Sequence, residues 1–135
     1  MHKDPDCIFC KIIEGTIPSY KIYEDDNLVS FMDINPFEKG HVLVVPKHHA
    51  ATIGELPEEV LVQLAKAVQK IAVRLKERLG CSGLNVLQNN GASAGQTVPH
   101  VHVHLIPRYE GKPLRFQSGE YGSDEEMKTF YEKLR

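Results

Sequence analysis

Several things are scarce in this chain of 135 residues, and each scarcity narrows what it can do. No apolar run approaches the ~20 residues that span a bilayer, so no membrane partner is expected. There is no basic surplus: 16 Lys and Arg stand against 18 Asp and Glu, a net charge of −2. A general binder of nucleic-acid polymers would show a basic excess, so that class is set aside, while a locally positive pocket for a small anion is not. The opening Met1-His2-Lys3-Asp4-Pro5-Asp6 lacks the basic-then-apolar layout of a signal peptide, and a cytoplasmic location is expected. In that compartment the three cysteines do not read as a disulfide framework. No internal repeat and no linker divides the chain, and its length suits one domain, 1–135, that buries a core unaided. Between Leu79 and Arg108 there is no acidic residue at all.

What is present is a mixture of short strand patterns and one strong helix pattern. Residues 7–14 can make one or two helical turns before Gly15 and Pro18 interrupt them. Tyr20–Glu24 and Leu28–Ile34 flank the turn signal Glu24-Asp25-Asp26-Asn27 and predict an antiparallel hairpin. After the loop Asn35–Gly40, His41–Val45 reads as a strand too apolar to be exposed on both faces. From about Pro57 to Leu79, Val60, Leu61, Leu64, Val68, Ile71, Leu75 and Leu79 recur at three- and four-residue spacing, the stripe of a packing helix. Pro57 suits its start, Glu58 and Glu59 its positive end, Lys76 and Arg78 its negative end, and Gly80 its cap. Leu84–Gln88 is a further strand, and the glycine-containing loop 89–97 follows it. Residues 110–123 contain six Gly, Pro and Ser and no clear period, so 111–135 is expected as a tail ending in a short helix capped by Ser123. Strands grouped around one helix indicate an α+β fold: an antiparallel sheet of about five strands, one long helix and short terminal helices.

Residues 99–107 carry most of the chemistry: Pro99-His100-Val101-His102-Val103-His104-Leu105-Ile106-Pro107. The alternation has the period of a β-strand, which puts three imidazoles on one face, ~6.7 Å apart, and three aliphatic side chains on the other. Three of the seven histidines fall within five residues. Imidazole can be nucleophile, acid, base, hydrogen-bond donor or metal ligand near neutral pH. A second constellation, Cys7-Ile8-Phe9-Cys10, has zinc-knuckle spacing but needs two more ligands. Two buried free thiols, or a redox pair lacking the usual βαβ context, are the other readings.

The stretch Gly95-Gln96-Thr97-Val98-Pro99-His100-Val101-His102-Val103-His104 resembles the signature of the histidine triad superfamily of nucleotide hydrolases and transferases. Phe31-Met32-Asp33-Ile34-Asn35-Pro36, Gly40-His41-Val42-Leu43-Val44-Val45-Pro46-Lys47 and the Cys7-x-x-Cys10-Lys11-Ile12-Ile13 start resemble it too, in the family's order. The resemblance covers about residues 7–110. It implies transfer of a nucleoside monophosphate to a histidine, here His102, and then to water or another acceptor. It implies that a backbone carbonyl within the motif, not a carboxylate, anchors the nucleophile, which suits the acid-free stretch before Arg108. His41, His104, Asn89 and Thr97, with loop amides near Gly95 and Gln96, would contact the phosphate. Catalysis would then be positioning and charge stabilisation. Asp33 would accept both ribose hydroxyls, and Ile8, Phe9, Ile17, Phe31 and Ile34 would pack around the base of a purine nucleotide.

The resemblance also implies a structural zinc in some members, held at the positions of Cys7, Cys10, His49 and His100. Four protein ligands leave no open position, so such an ion would pin the N-terminal segment rather than react. The sequence alone leaves His48 and His49 undecided. No catalytic metal or organic cofactor is expected, and a two-fold homodimer is. The leading function is cleavage of a nucleoside phosphoramidate or dinucleoside polyphosphate through nucleotidyl-His102. The competing readings are a metal-dependent hydrolase that uses the three histidines as its metal site, and a nucleotide-binding regulator without turnover.

Overall fold

The computed structural model describes residues 1–135. Five strands, β1 (Lys21–Glu24), β2 (Leu28–Met32), β3 (Val42–Pro46), β4 (Gly83–Gln88) and β5 (Val103–Arg108), form one sheet in the order β1-β2-β3-β5-β4. All four strand pairs are antiparallel, which is the α+β arrangement expected from the sequence. Three helices accompany them: α1 (Ile8–Glu14), α2 (Glu58–Leu79) and α3 (Asp124–Leu134).

The sheet is covered on both faces, and its period-two alternation sorts side chains between two cores. Leu28, Met32, Val42, Val44, Val101, Val103 and Leu105 face α2. Val29, Phe31, Leu43 and Val45 face α1, whose Phe9, Cys10 and Ile12 close the opposite side. This double burial explains why β2 and β3 read as almost unbroken apolar runs. On α2 the buried stripe centres on Leu64, Ala67, Ile71 and Leu75, while Leu61, assigned to the stripe from sequence, is 38% exposed. Gly80 stops the helix in the left-handed region at φ 64°, its N–H bonded to the Lys76 carbonyl. Helix α3 starts at Ser123, whose hydroxyl accepts the Glu126 N–H, and buries Met127 and Leu134 in the same core as α2.

The histidine segment differs from expectation in one respect. A strand over 99–107 is expected, but β5 begins only at Val103. Proline at 99 has no N–H to give a ladder, the His100 N–H turns back to the Val98 carbonyl, and the Val101 N–H goes to Ala50. Pairing begins at Val103, which is flanked by Val44 of β3 and Gln88 of β4. The alternation of faces survives this change. Val101 and Val103 still enter the α2 core, and the three histidines lie on the α1 side.

Candidate functional site

Helix α1, the end of β2 and the start of β5 enclose a cleft of about 300 Å³. Ile8, Phe9, Ile17 and Phe31 form its apolar walls, and Asp33, Ile34, Thr97, His102 and His104 also line it. The sequence reading missed Ile12, Ser19 and Val98, which line it as well. Ile12 and Val98 stand inside the quoted motifs but were given no role; α1, the turn after it and the loop before Pro99 bring the three to the same opening. Other expected contacts are not brought to this cleft. His41, which is wholly buried, Asn89, Gly95 and Gln96 do not line it, and the expected anion cradle from the last two amides is spent inside the loop. The Gly95 N–H donates to the Ala92 carbonyl and the Gln96 N–H to the Gly91 carbonyl. The Gln96 side chain is a clamp, donating to the Ala51 and Val98 carbonyls at 2.7 and 2.9 Å and accepting the Gly91 N–H at 2.7 Å.

The hydrogen bonds fix how each imidazole carries its proton. His102 Nδ1 lies 2.7 Å from the His100 carbonyl oxygen, an acceptor, so Nδ1 holds the hydrogen and Nε2 keeps its lone pair. His41 Nδ1 accepts the Phe37 backbone N–H at 3.0 Å. Its Nε2 must then carry the hydrogen, which it donates to His104 Nδ1 at 2.9 Å. His104 is left with its hydrogen on Nε2. The relay therefore runs from Phe37 through His41 to His104 and ends in a donor, beside His102, whose Nε2 ends in a lone pair. Phe37, given no role in the sequence reading, also stacks its ring nearly parallel to that of His104 at 6.2 Å.

Burial keeps these rings neutral at pH 7. His41, wholly buried, is pushed down to about 3 by desolvation, with His104, Arg108 and His102 adding repulsion. His104 is pushed to about 4 by burial and by His102. Burial lowers His102 too, opposed by its bond to the His100 carbonyl. Asp33 moves the other way: burial raises it, opposed by the Asn35 N–H that its Oδ1 accepts at 2.8 Å.

Asp33, His41 and His104 bring three potential donor atoms within 4.8 Å, so a cation there needs testing. The Phe37 N–H answers it. With that bond in place, His41 Nε2 carries a hydrogen and offers no lone pair. Nor do the three clustered histidines form one cage, because His100 turns elsewhere.

His100 Nδ1 faces Cys7 Sγ at 3.4 Å, Cys10 Sγ at 3.7 Å and His49 Nδ1 at 3.0 Å. Cys10 Sγ lies 3.6 Å from His49 Nδ1. A tetrahedral zinc with bonds of about 2.0–2.3 Å places its N and S ligands about 3.3–3.8 Å apart, so this buried donor set fits the ion. The Nε2–H of His100 donates to the Pro46 carbonyl at 2.7 Å, which orients its Nδ1 lone pair into the cluster. Asp4, unmarked in sequence, places Oδ2 3.8 Å from His49 Nε2. The structure also decides between the adjacent histidines: His49 belongs to the cluster, while His48 Nδ1 lies 3.4 Å from the His2 amide.

Similarities to known proteins agree with this geometry. The chain is 47% identical over 106 residues to the adenosine 5'-monophosphoramidase of Candida albicans, covering 76% of this chain and 70% of that one. Among solved structures, a Hit-like protein involved in cell-cycle regulation from Bartonella henselae superposes with a TM-score of 0.89 at 39% identity, covering 99% and 97% of the two chains. A zinc-bound histidine triad family protein from Mycobacterium smegmatis gives 0.84 at 37% identity, covering 96% and 93%. The HIT domain family model matches residues 14–111, leaving the cysteine pair just outside it, and the chain belongs to the HIT domain family.

Proposed function

We propose that this protein cleaves a nucleoside phosphoramidate or a dinucleoside polyphosphate at its α-phosphorus through a nucleotidyl-His102 intermediate. The observation that carries the reading is the 2.7 Å bond from His102 Nδ1–H to the His100 carbonyl, which reserves Nε2 for attack. The Candida relative's named activity supports a phosphoramidate, in which the broken bond is phosphorus to nitrogen. In the first step Nε2 of His102 bonds to phosphorus, and the leaving group departs with the electron pair and gains a proton. In the second step water adds to phosphorus, the P–N bond to His102 breaks, and a nucleoside monophosphate is released. His104 Nε2–H supplies a neutral hydrogen bond to the phosphate, where donors aimed at developing charge accelerate transfer most.

The remaining residues fall into supporting roles. The base rests between the apolar walls, with Ile8, Phe9, Ile17, Phe31 and Ile34 around a purine ring. Asp33, at the same opening, accepts the ribose hydroxyls through its paired oxygens. Thr97 stands at the phosphate end, with the clamped loop holding it there. A zinc at Cys7, Cys10, His49 and His100 supplies structural cross-linking of α1 to the His100 segment and no step of the reaction. The protein works as a homodimer: Val62 and Val73 of α2 and Val86 of the edge strand β4 are 47%, 52% and 56% exposed, an apolar face suited to a second copy.

Time-resolved intact-mass spectrometry with adenosine phosphoramidate and a diadenosine polyphosphate tests the reading. A transient nucleotidyl adduct is expected on the wild type and none on His102→Asn. No adduct and no turnover with either substrate would overturn it.

A further inference from the structure

Two routes join the Cys7–Cys10–His49–His100 cluster to the nucleotide cleft. The first is the main chain of His100. Its ring enters the cluster through Nδ1 and is tied to Pro46 through Nε2, while its carbonyl oxygen holds His102 Nδ1–H at 2.7 Å. The second is α1. Cys7 and Cys10 bracket Ile8 and Phe9, and Ile12 follows, so the segment that supplies both thiols also supplies one wall of the cleft. The Phe9 ring meets His102 edge-on at 5.0 Å and 89°, and reaches His100 at 5.9 Å. Helix α1 has seven residues and no side-chain bond at its N-cap, so it cannot stand without tertiary ties.

We propose that a zinc ion held by these four side chains is thermodynamically coupled to nucleotide binding, with His100 and Phe9 as positioning residues that act through His102. The inference rests on the nucleotide reading above. An ion that fixes the His100 main chain fixes the acceptor that sets the His102 tautomer. It also fixes the face of α1 against which the base packs. A nucleotide filling the cleft presses on the same helix and the same ring. Each ligand therefore orders part of the other's site, and the coupling is reciprocal.

The test uses the whole chain, with competition against a chromophoric chelator to read zinc affinity in the absence and presence of saturating AMP. AMP is expected to tighten zinc by about tenfold, and calorimetry on zinc-loaded and metal-free protein should show AMP tightened by the same factor. In ¹⁵N spectra of the imidazoles, His102 should show a single Nδ1–H tautomer with zinc bound and a mixture without it. A metal that merely stabilised the fold would leave this signature unmoved. Because zinc affinity can be read at small fractional release, the comparison holds even if the fully stripped protein unfolds. Equal zinc affinity with and without bound AMP overturns the coupling alone. Failure of AMP to bind the zinc-loaded chain overturns the nucleotide reading with it, and failure to take up zinc also overturns the inference.

Discussion

Lowering the pH from 7 to 5 is expected to cost the fold about 2 kcal/mol through His41 alone. In the unfolded chain this imidazole takes up a proton near its ordinary value of 6.5, while in the folded protein burial holds it to about 3. Between those values the unfolded state binds the extra proton and the folded state does not. Stability therefore falls as the pH drops through 6.5, by about 1.4 kcal/mol per pH unit, and the loss ends only near the folded value. From 6.5 to 5 that amounts to about 2 kcal/mol. The comparison is wild type against His41→Asn, whose Oδ1 can still accept the Phe37 N–H but does not titrate. Urea unfolding of both at pH 7 and pH 5, at one zinc concentration, gives the two losses. The variant should be the less stable at pH 7, and its loss between the two pH values should be smaller by about 2 kcal/mol. Equal losses would refute the assignment of His41 as a buried neutral ring. Every other ionisable group is common to the two proteins, so its contribution cancels in the difference.

Three further perturbations probe other parts of the chain. Gly40 has φ +96°, and a Cβ there would lie 2.7 Å from Leu79 Cδ1 and 3.3 Å from Pro107 Cγ. Gly40→Ala should therefore cost about 2 kcal/mol or more by denaturant unfolding, and a neutral result would contradict the close approach of this loop to the core. Gln96→Ala removes the three bonds that brace the loop before Pro99. The Gly91 amide should lose its protection from hydrogen exchange, and AMP affinity should fall about 3- to 10-fold as Thr97 and Val98 loosen, the equivalent of one net hydrogen bond. Val73→Asp puts a charge at an exposed valine of α2, and light scattering should show a dimer for the wild type and a monomer for the variant. A variant that remains dimeric would place the interface elsewhere.

How legible the site was in the sequence depended on whether a residue acts through its side chain or through its backbone. The α2 stripe, the hairpin and the alternation at 100–104 are side-chain patterns, and each found its element or its face. The candidate residues His102, His104 and the Cys7–Cys10 pair were visible for the same reason, while Asp33, beside Asn-Pro, was marked only by the family resemblance. What remained hidden is main-chain work. Nothing in a phenylalanine at 37 announces that its N–H fixes the tautomer of His41. Nor does a glutamine at 96 reveal that it braces three backbone groups instead of presenting its own amide to a ligand. The shortened β5 has the same origin: Pro99 and the bonds to Val98 and Ala50 redirect the chain, and period-two alternation continues through that bend without a ladder. Helix α3 was placed at the right residues, but its burial of Met127 and Leu134 depends on long-range packing that no local pattern encodes.

The acid-free stretch before Arg108 gains its meaning from the same main-chain bonds. A histidine nucleophile has to be neutral, yet its second nitrogen has to be held. A carboxylate would hold Nδ1–H well, but its charge would favour the imidazolium and occupy the lone pair with a proton. The His100 carbonyl holds the same hydrogen at 2.7 Å without a full charge, and burial then lowers the basicity of His102. His41 is treated alike, anchored by an amide N–H, with an Asp33 carboxylate oxygen 3.7 Å from its Nε2. Burial raises Asp33, whose other oxygen accepts the Asn35 amide N–H at 2.8 Å. The His41 and His102 rings lie 5.1 and 4.8 Å from that of His104, and a proton on His102 would make both other rings harder to charge. The absence of acid from this stretch is thus a positive feature: it lets backbone dipoles choose the tautomer and leaves the lone pair on His102 Nε2.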